Sequence, residues 1–376
     1  MLLKIELENF KSFKNLTTID FKSTNYKILQ DTNVYNNKIL KGAIFVGSNA
    51  SGKTNTILSL KLLLDLLFSD KSINLDVYKS LLNEDPVIKL SYEFEIKESN
   101  IKYNISYDVV HKMLSEKLYV DNELLLDRIG NNAKSEITES KSYTNIDNDI
   151  LLLRTIYFNT KFSNIEVLKK WFEFLSNSIF LDASQRVVSN NGRDLILDKY
   201  LDKNGTDEIN EFLKEFNFNQ QIEYTNQYKG NIINFNDDLN KMVFFKRKEI
   251  NELIPMRWES LGNKNLINML PSFFNVIKNG GMLIIDEFSS AFHNELERLL
   301  VRYFMEKSNN SQIFIVSHST NLLSNSIFRP DQAYSVEFTS SGTKVKQFSD
   351  EGPRVSQNIE KMYLSGVFDG IPNYNK

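Results

Sequence analysis

Two different patterns of apolar residues run through this sequence. Residues 87–96 and 101–109 alternate strictly between apolar and polar side chains, which is typical of strands in an antiparallel sheet with one face in water. The shorter runs at 43–46, 281–285 and 312–316 are almost entirely apolar and predict strands that are buried on both faces, as in a parallel sheet. The pattern therefore predicts an α/β fold that contains both kinds of sheet.

The rest of the pattern predicts shorter elements. Residues 3–13 alternate and predict a strand that pairs with a second strand near 18–21, while the apolar run at 57–64 predicts a buried helix. Residues 131–149 are polar and charged, so we expect a mobile loop there. Residues 187–252 are mixed in character and rich in Asn, with one amphipathic helix, and predict an inserted helical lobe.

A glycine-rich stretch stands between the apolar run 43–46 and the predicted helix. Residues 47–54 fit the pattern Gly-x-x-x-x-Gly-Lys-Ser/Thr. The glycines allow backbone N–H groups to turn toward phosphate oxygens, Lys53 can contact the β- and γ-phosphates, and the Thr54 hydroxyl can bind Mg²⁺. The stretch therefore predicts ATP and Mg²⁺ as cofactors. The predicted nucleotide-binding residues here are Gly47, Ser48, Asn49, Ala50, Ser51, Gly52, Lys53, Thr54 and Asn55.

Polar residues follow the other two buried strands. Asp286 and Glu287 end the run at 281–285; Asp286 is predicted to bind Mg²⁺ together with Thr54, and Glu287 to polarise an attacking water. His318 follows the third strand, and from the same sheet edge its imidazole N–H could meet a γ-phosphate. The predicted catalytic residues are Glu287, His318 and Lys53.

A further motif precedes a run with helical spacing. Ser260 and Gly262 lie in the stretch Glu-Ser-Leu-Gly-Asn-Lys at 259–264, just before the apolar positions of that run. The first N–H groups of a helix have no partner within the helix and attract anions. Ser260 and Gly262 are therefore predicted to contact nucleotide.

Composition narrows the possible chemistry. The chain has 376 residues and no cysteine, which excludes disulfides, thiolate metal sites and Cys nucleophiles. With three histidines in the chain, any metal is expected to be held by oxygen atoms. Asp147 and Asp149 lie in the polar segment, and a solvated loop is favoured there over a metal site.

Net charge and hydropathy bear on partners. The net charge of −3 gives no overall attraction to nucleic acid, so DNA binding would need a local basic patch. Residues 244–248, Phe-Phe-Lys-Arg-Lys, are the candidate, although a solvated strand or helix face is the favoured interpretation. No run of eighteen apolar residues exists, and the first residues lack the zones of a signal peptide. We expect a cytoplasmic protein with no membrane partner.

In chain order these motifs resemble the ABC-type ATPase head of the SMC, RecF and RecN class. The matching stretches are 7–13 for the N-terminal strand, 47–54 for Walker A, Ser260 to Gly262 for the signature loop, 284–287 for Walker B and His318 for the switch histidine. Within that class the chain is most similar to AAA-family ATPases of bacterial phage-defence operons, the abortive-infection and restriction-linked ATPases related to the PARIS ATPase. The resemblance covers nearly the whole chain and is weakest from 130 to 250.

The resemblance implies an ABC-type ATPase head with a mixed central sheet of parallel core strands, an antiparallel β-subdomain and an inserted helical lobe. It places the N-terminal part of the head at 1–130, a variable insertion at 131–255 and the C-terminal part of the head at 256–376. One position departs from the family pattern, because His293 stands where the family has the D-loop aspartate. Gln185 is the hypothesis for the Q-loop glutamine.

In this class two heads enclose two ATP molecules, each between Walker A of one chain and the signature loop of the other. The resemblance therefore implies a homodimer or higher oligomer whose ATP-driven assembly is a switch in anti-phage defence. It also implies a separate effector such as a Toprim-type nuclease, since no Toprim pattern follows His318. The alternatives are a RecF-like ATPase of DNA repair, for which DNA is a partner, and an ATP-binding scaffold with little turnover.

Overall fold

Two large β-sheets dominate the computed structural model, which describes residues 1–137, 139–182, 187–189, 197–290 and 292–371. The strands are β1 Leu2–Glu8, β2 Thr17–Asp20, β3 Val34–Tyr35, β4 Ile39–Leu40, β5 Gly42–Gly47, β6 Val87–Ile96, β7 Ser99–Asp108, β8 Met113–Val120, β9 Glu123–Ile129, β10 Asn132–Ser135, β11 Lys141–Tyr143, β12 Ile179–Asp182, β13 Val187–Ser189, β14 Gln220–Thr225, β15 Gln227–Lys229, β16 Asn234–Asn236, β17 Met242–Arg247, β18 Ile254–Pro255, β19 Gly281–Asp286, β20 Ser311–Val316, β21 Ala333–Thr339 and β22 Gly342–Gln347. The helices are α1 Gln30–Asn33, α2 Lys53–Phe68, α3 Leu152–Thr160, α4 Glu166–Ser176, α5 Leu197–Asn204, α6 Asp207–Glu215, α7 Leu261–Asn279, α8 Asn294–Lys307 and α9 Ile359–Leu364. Within the described ranges, no helix has the length and apolar character needed to cross a bilayer.

Contacts along the chain define two compact units. The first comprises Met1–Asn191, Val276–Ser290 and Asn294–Lys376, and the second comprises Gly192–Asn275 and Ala291–His293. The division into 1–130, 131–255 and 256–376, which follows the positions of the motifs, stays a prediction.

The first unit contains the predicted antiparallel sheet. Its strand order is β11-β10-β9-β8-β7-β6-β1-β2. Along β6 and β7 the more buried side chains alternate with the more exposed ones, so one face packs on the core and the other faces solvent. The alternation seen in the sequence at 87–96 and 101–109 therefore reflects this sheet, and the prediction is confirmed.

The expectation of a mobile loop at 131–149 was wrong for much of that segment. Strands β10 and β11 extend the antiparallel sheet at its edge, and the carbonyl of Asp147 accepts a hydrogen bond of 2.7 Å from Arg128 Nη2. Strand β10 was not predicted because its inward-facing residues are Ala133 and Ser135, which give little apolar alternation.

The second sheet of this unit carries the buried runs. Its order is β13-β12-β19-β20-β5-β21-β22, and the five central strands from β12 to β21 run parallel to one another. All residues of β5, β19 and β20 are buried, which confirms the prediction of a parallel core. Because these three strands are neighbours and parallel, their C-terminal ends lie at one edge of the sheet.

The main core of the first unit forms where helices α2 and α4 pack against both sheets. Trp171 on α4 is fully buried, with its ring 5.6 Å from that of Phe94 and 5.9 Å from that of Tyr103. Phe172 packs edge-on to Phe68 of α2 at 5.7 Å. Burial of each large aromatic side chain contributes roughly 1.5–3 kcal/mol, so this cluster fixes α2, the helix that follows the glycine-rich stretch.

The second unit contains strands as well as the expected helices. A three-stranded sheet β14-β17-β18 and a hairpin β15-β16 accompany α5, α6 and the beginning of α7. Asn210 of α6 donates to the carbonyl of Ile222 at 2.9 Å and accepts from its N–H at 2.7 Å. Strands β14 to β16 were missed because they are short and rich in Gln, Asn and Thr, which weakens their apolar signal.

A fully buried ion pair holds the antiparallel sheet to helix α3. Arg128 Nη1 lies 2.9 Å from Glu116 Oε1, and neither side chain is exposed. Glu116 also accepts from the Tyr103 hydroxyl at 2.7 Å and from the N–H of Leu152 at the start of α3 at 2.6 Å. Arg128 Nη1 donates in addition to the carbonyl of Ile150 at 2.7 Å. Each charge is thus matched by a partner, as burial requires.

We expect the substitution Arg128→Met to destabilise the fold strongly. It leaves the Glu116 carboxylate buried without its cation, which should lower the free energy of unfolding by about 3–5 kcal/mol. Urea unfolding followed by circular dichroism measures this loss.

Lys117→Met is the matched control, since Lys117 forms a 3.5 Å pair with Asp127 in the same sheet and the two side chains are 44% and 36% exposed. Its cost should stay below about 1 kcal/mol. Equal losses in the two variants would contradict a special role for the buried pair.

Candidate functional site

Three of the motifs singled out in the sequence meet at one sheet edge in the first unit. Strand β5 leads into the glycine-rich loop 48–52, β19 ends at Asp286 with Glu287 next, and β20 is followed by His318. The strands are neighbours in the order β19-β20-β5. The fold therefore brings together Lys53, Thr54, Asp286, Glu287 and His318.

Two glycines shape the loop, and both positions exclude a side chain. A Cβ atom on Gly47 would lie 2.2 Å from the carbonyl oxygen of Val336. Gly52 has a φ of +103°, and its Cβ would lie 2.2 Å from Thr343 Oγ1. Only glycine tolerates both that backbone angle and that contact. The loop can thus curl tightly before helix α2 begins at Lys53, which directs the helix N-terminus into the site.

Lys53 curls back over the loop. Its Nζ donates to the carbonyls of Gly47 at 3.0 Å and Ser48 at 2.7 Å, and the residue is only 4% exposed. Burial lowers the pKa of Lys53 to about 8, while the carboxylates of Glu287 and Asp286 act in the opposite direction. A phosphate group bound beside the ammonium would favour its charged form further.

Thr54 and Asp286 form a pair of hard oxygen donors. The Thr54 hydroxyl donates to Asp286 Oδ1 at 3.2 Å. Burial is the main cause that raises the pKa of Asp286 to about 6, with the Thr54 hydrogen bond opposing it. A buried carboxylate beside a hydroxyl has the chemistry that suits Mg²⁺, which takes few protein ligands and completes its shell with water and phosphate. The residues present therefore fit this ion.

Glu287 and His318 contact each other. His318 Nε2 lies 3.1 Å from Glu287 Oε1, and both side chains are about one third exposed. Glu287 has a φ of +55°, an unusual conformation for a residue with a side chain. The N–H of Ser290 donates to its carbonyl at 2.9 Å, which helps to hold that turn. This backbone turn leaves the Glu287 carboxylate partly exposed just beyond the end of β19.

A relay of hydroxyl groups, which the sequence motifs did not predict, holds the glycine-rich loop in place. Asn55 Nδ2 donates to Ser12 Oγ at 2.8 Å, Ser12 and Thr343 hydroxyls lie 2.7 Å apart, and Thr343 Oγ1 donates to the carbonyl of Ser51 at 2.9 Å. Asn55 therefore has a partner within the protein. Ser12 lies in the stretch 7–13 that carried the family resemblance, whereas no pattern pointed to Thr343.

The C-terminal segment also touches the loop. The N–H of Ser48 donates to the carbonyl of Gly370 at 3.0 Å. Phe368, two residues earlier, stacks on Phe348 with ring centroids 3.9 Å apart. Residues beyond Ile371 lie outside the described part of the chain.

Two predicted nucleotide contacts belong to the second unit. They are Ser260 and Gly262; Ser260 immediately precedes α7, and its hydroxyl accepts from the N–H of Asn263 at 3.3 Å. Gln185, the hypothesis for the Q-loop, lies outside the described residues. The roles proposed for these residues stay predictions.

Comparisons with known proteins bear on the family and the fold. The family model described as "AAA domain, putative AbiEii toxin, Type IV TA system" matches residues 43–324. A protein of Helicobacter pylori strain ATCC 700392 / 26695, named ATP/GTP phosphatase, is 21% identical over 364 residues, which is 86% of each chain. The match to the family model spans both Walker motifs.

Solved structures resemble the whole chain. The SMC head domain from Thermotoga maritima is 14% identical with a TM-score of 0.50, covering 92% of this chain and 98% of that one. An SMC head bound to the C-terminal winged-helix domain of ScpA is 12% identical with a TM-score of 0.54, covering 92% and 96%. At such identities the likeness shows the fold alone, and it confirms the expected ABC-type head. Because the family model covers most of the chain, the protein belongs to this AAA-domain family and is an ATPase of the ABC/SMC-like type.

Proposed function

We propose that this ATPase is Mg²⁺-dependent and hydrolyses ATP between two copies of the chain, so that ATP binding drives dimerisation. The observation that supports this most directly is the convergence of Lys53, Thr54, Asp286, Glu287 and His318 at one sheet edge. The Helicobacter pylori relative is named an ATP/GTP phosphatase, which supports hydrolysis and makes GTP a second substrate to test.

Each group has a defined task in the proposed reaction. Lys53 and the loop N–H groups bind the β- and γ-phosphates, and Thr54 with Asp286 would hold Mg²⁺, which supplies charge neutralisation on the phosphates. Glu287 orients a water and accepts its proton as the water oxygen bonds to the γ-phosphorus. The bond from that phosphorus to the bridging oxygen breaks, which yields ADP and phosphate.

His318 stabilises the charge that develops on the transferred group. Its Nε2 lies 3.1 Å from Glu287 Oε1, at the same sheet edge as the loop that would hold the γ-phosphate. A scaffold without turnover would have no need for this contact. The pairing of Glu287 with His318 therefore favours an active hydrolase over that alternative.

The proposal of a dimer rests on the exposure of a bound nucleotide to water. The loop and α2 contact a nucleotide from one side, so the far side of the γ-phosphate would remain in water. The first turn of α7 from a second copy, which begins just after Ser260, would present its positive dipole end to that phosphate and could close the site. Resemblance to the SMC class supports the same arrangement.

We further propose a defence role with a separate effector, such as a Toprim-type nuclease. The description of the matching family names a toxin of a toxin–antitoxin system, which supports a switch that restrains or releases a harmful activity. The stretch 244–248 gives the DNA-repair alternative less support than its residue types suggest, because Phe244 and Phe245 are buried and cannot stack on bases. Lys246 and Arg247 each pair with a glutamate.

We expect Glu287→Gln to lower the turnover number by at least about 100-fold, because it removes the group that accepts the proton. ATP binding should persist, and an ATP-bound dimer should accumulate. Phosphate release and mass photometry, with ATP and GTP and with and without DNA, measure these outcomes.

Glu306→Gln, an exposed glutamate on α8, is the control for charge removal and should behave as wild type. Lys53→Ala should lose both nucleotide binding and turnover. Wild-type turnover in Glu287→Gln would exclude Glu287 as the base. If Glu287→Gln stays monomeric both with and without ATP, the proposed ATP-driven dimer is excluded.

We expect Mg²⁺ to add to the thermal stabilisation that ATP gives the wild type, since a ligand bound only by the folded state stabilises it by about 2.7 kcal/mol at 100 times its Kd. In Asp286→Asn that increment should disappear while ATP alone still stabilises. Differential scanning fluorimetry with ATP, in Mg²⁺ or in EDTA, makes the comparison. An unchanged Mg²⁺ increment in Asp286→Asn would exclude Asp286 as the ligand.

A further inference from the structure

A buried glutamate lies beside the predicted signature loop. Glu259 directly precedes Ser260, and its side chain is only 3% exposed. Its Oε2 accepts from the N–H of Ser260 at 3.2 Å and from Asn263 Nδ2 at 2.8 Å. The carboxylate therefore sits at the start of α7, where it holds the first turn of the helix in place.

Arg247 supplies the matching positive charge. Its Nη2 lies 2.6 Å from Glu259 Oε1, so the two carboxylate oxygens are engaged by different partners. Arg247 ends strand β17, opposite Gln220 on β14. Gln220 accepts from Asn263 Nδ2 at 3.1 Å, which ties the same helix turn to the same pair of strands.

The neighbouring lysine has a different environment. Lys246 points to the other side of β17 and pairs with Glu223 at 3.4 Å, and these side chains are 60% and 43% exposed. The basic stretch at 246–247 is thus divided between a solvent-exposed ion pair and a partly buried one. Arg247 is the member whose charge is committed to the signature loop.

We infer that Arg247 and Glu259 are positioning residues for the signature loop, and this inference rests on the proposed dimeric ATPase. Glu259 fixes the Ser260 N–H and, through Asn263, the Ser260 hydroxyl, whose oxygen accepts from the Asn263 N–H. Arg247 cancels the negative charge of Glu259. Without that cancellation a carboxylate would stand next to the place where the second copy's γ-phosphate binds, and like charges there weaken association.

The test compares three variants, each made both alone and with Glu287→Gln, which traps the ATP-bound dimer. Arg247→Gln leaves Glu259 uncompensated, Arg247→Gln with Glu259→Gln removes both charges, and Lys246→Gln is the matched control. Mass photometry gives the dimer dissociation constant in ATP. Fluorescent ATP binding gives the nucleotide affinity of the monomer, and melting temperature reports folding.

We expect Arg247→Gln to raise the dimer dissociation constant by at least about tenfold, with the monomer's affinity for ATP unchanged within about twofold. The double variant should recover most of the loss, because the uncompensated charge is gone. Lys246→Gln should match the parent. A merely structural role would lower the melting temperature of both Arg247 variants, and removal of the second charge would not restore dimerisation.

Other results separate this inference from the function on which it rests. If Glu287→Gln alone forms no ATP-dependent dimer, the proposed function fails. If it dimerises and Arg247→Gln dimerises equally well, only the positioning role is overturned. If Arg247→Gln and Lys246→Gln instead lose DNA binding to the same extent and dimerise normally, the basic stretch is a nucleic-acid contact and the inference is wrong.

Discussion

The parallel alignment of β19, β20 and β5 is the constraint on which the site depends. Each strand is buried along its whole length, and each turns into a functional loop only where it leaves the sheet. The three loops therefore emerge side by side, although Lys53 and His318 are far apart in the sequence. A shift of one strand by one residue would move Asp286 away from Thr54, because neighbouring residues of a strand point to opposite faces.

Burial of charged groups is the second feature that organises the site. Burial lowers the pKa of Lys53 and raises the pKa of Asp286, so it favours the neutral form of each side chain. A substrate that carries both phosphate and a divalent cation provides a counter-charge for each group at once. In the proposed function, Mg²⁺ and ATP bound together would therefore stabilise the charged forms of both groups, which neither could do alone.

The sequence predicted those features that arise from local patterns. Buried apolar runs identified the parallel strands, and alternation identified β6 and β7. The motif from Gly47 to Thr54 identified the loop, because its close packing requires glycine at fixed positions. Strand β10 was missed because its inward residues are small or polar. The relay through Ser12 and Thr343 joins positions far apart in the chain, and two common hydroxyl residues give no periodic signal from which to infer their contact.

The loop of the first unit and the helix N-terminus of the second are each held by their own local network. Hydroxyl groups clamp the glycine loop, and the Arg247–Glu259 pair holds the turn at Ser260. Groups that are fixed when the chain folds need not be ordered when two copies meet, so less conformational entropy is lost on association. In the proposed dimer, preorganisation of this kind would leave ATP binding to decide whether two copies associate, because folding has already ordered the groups that meet.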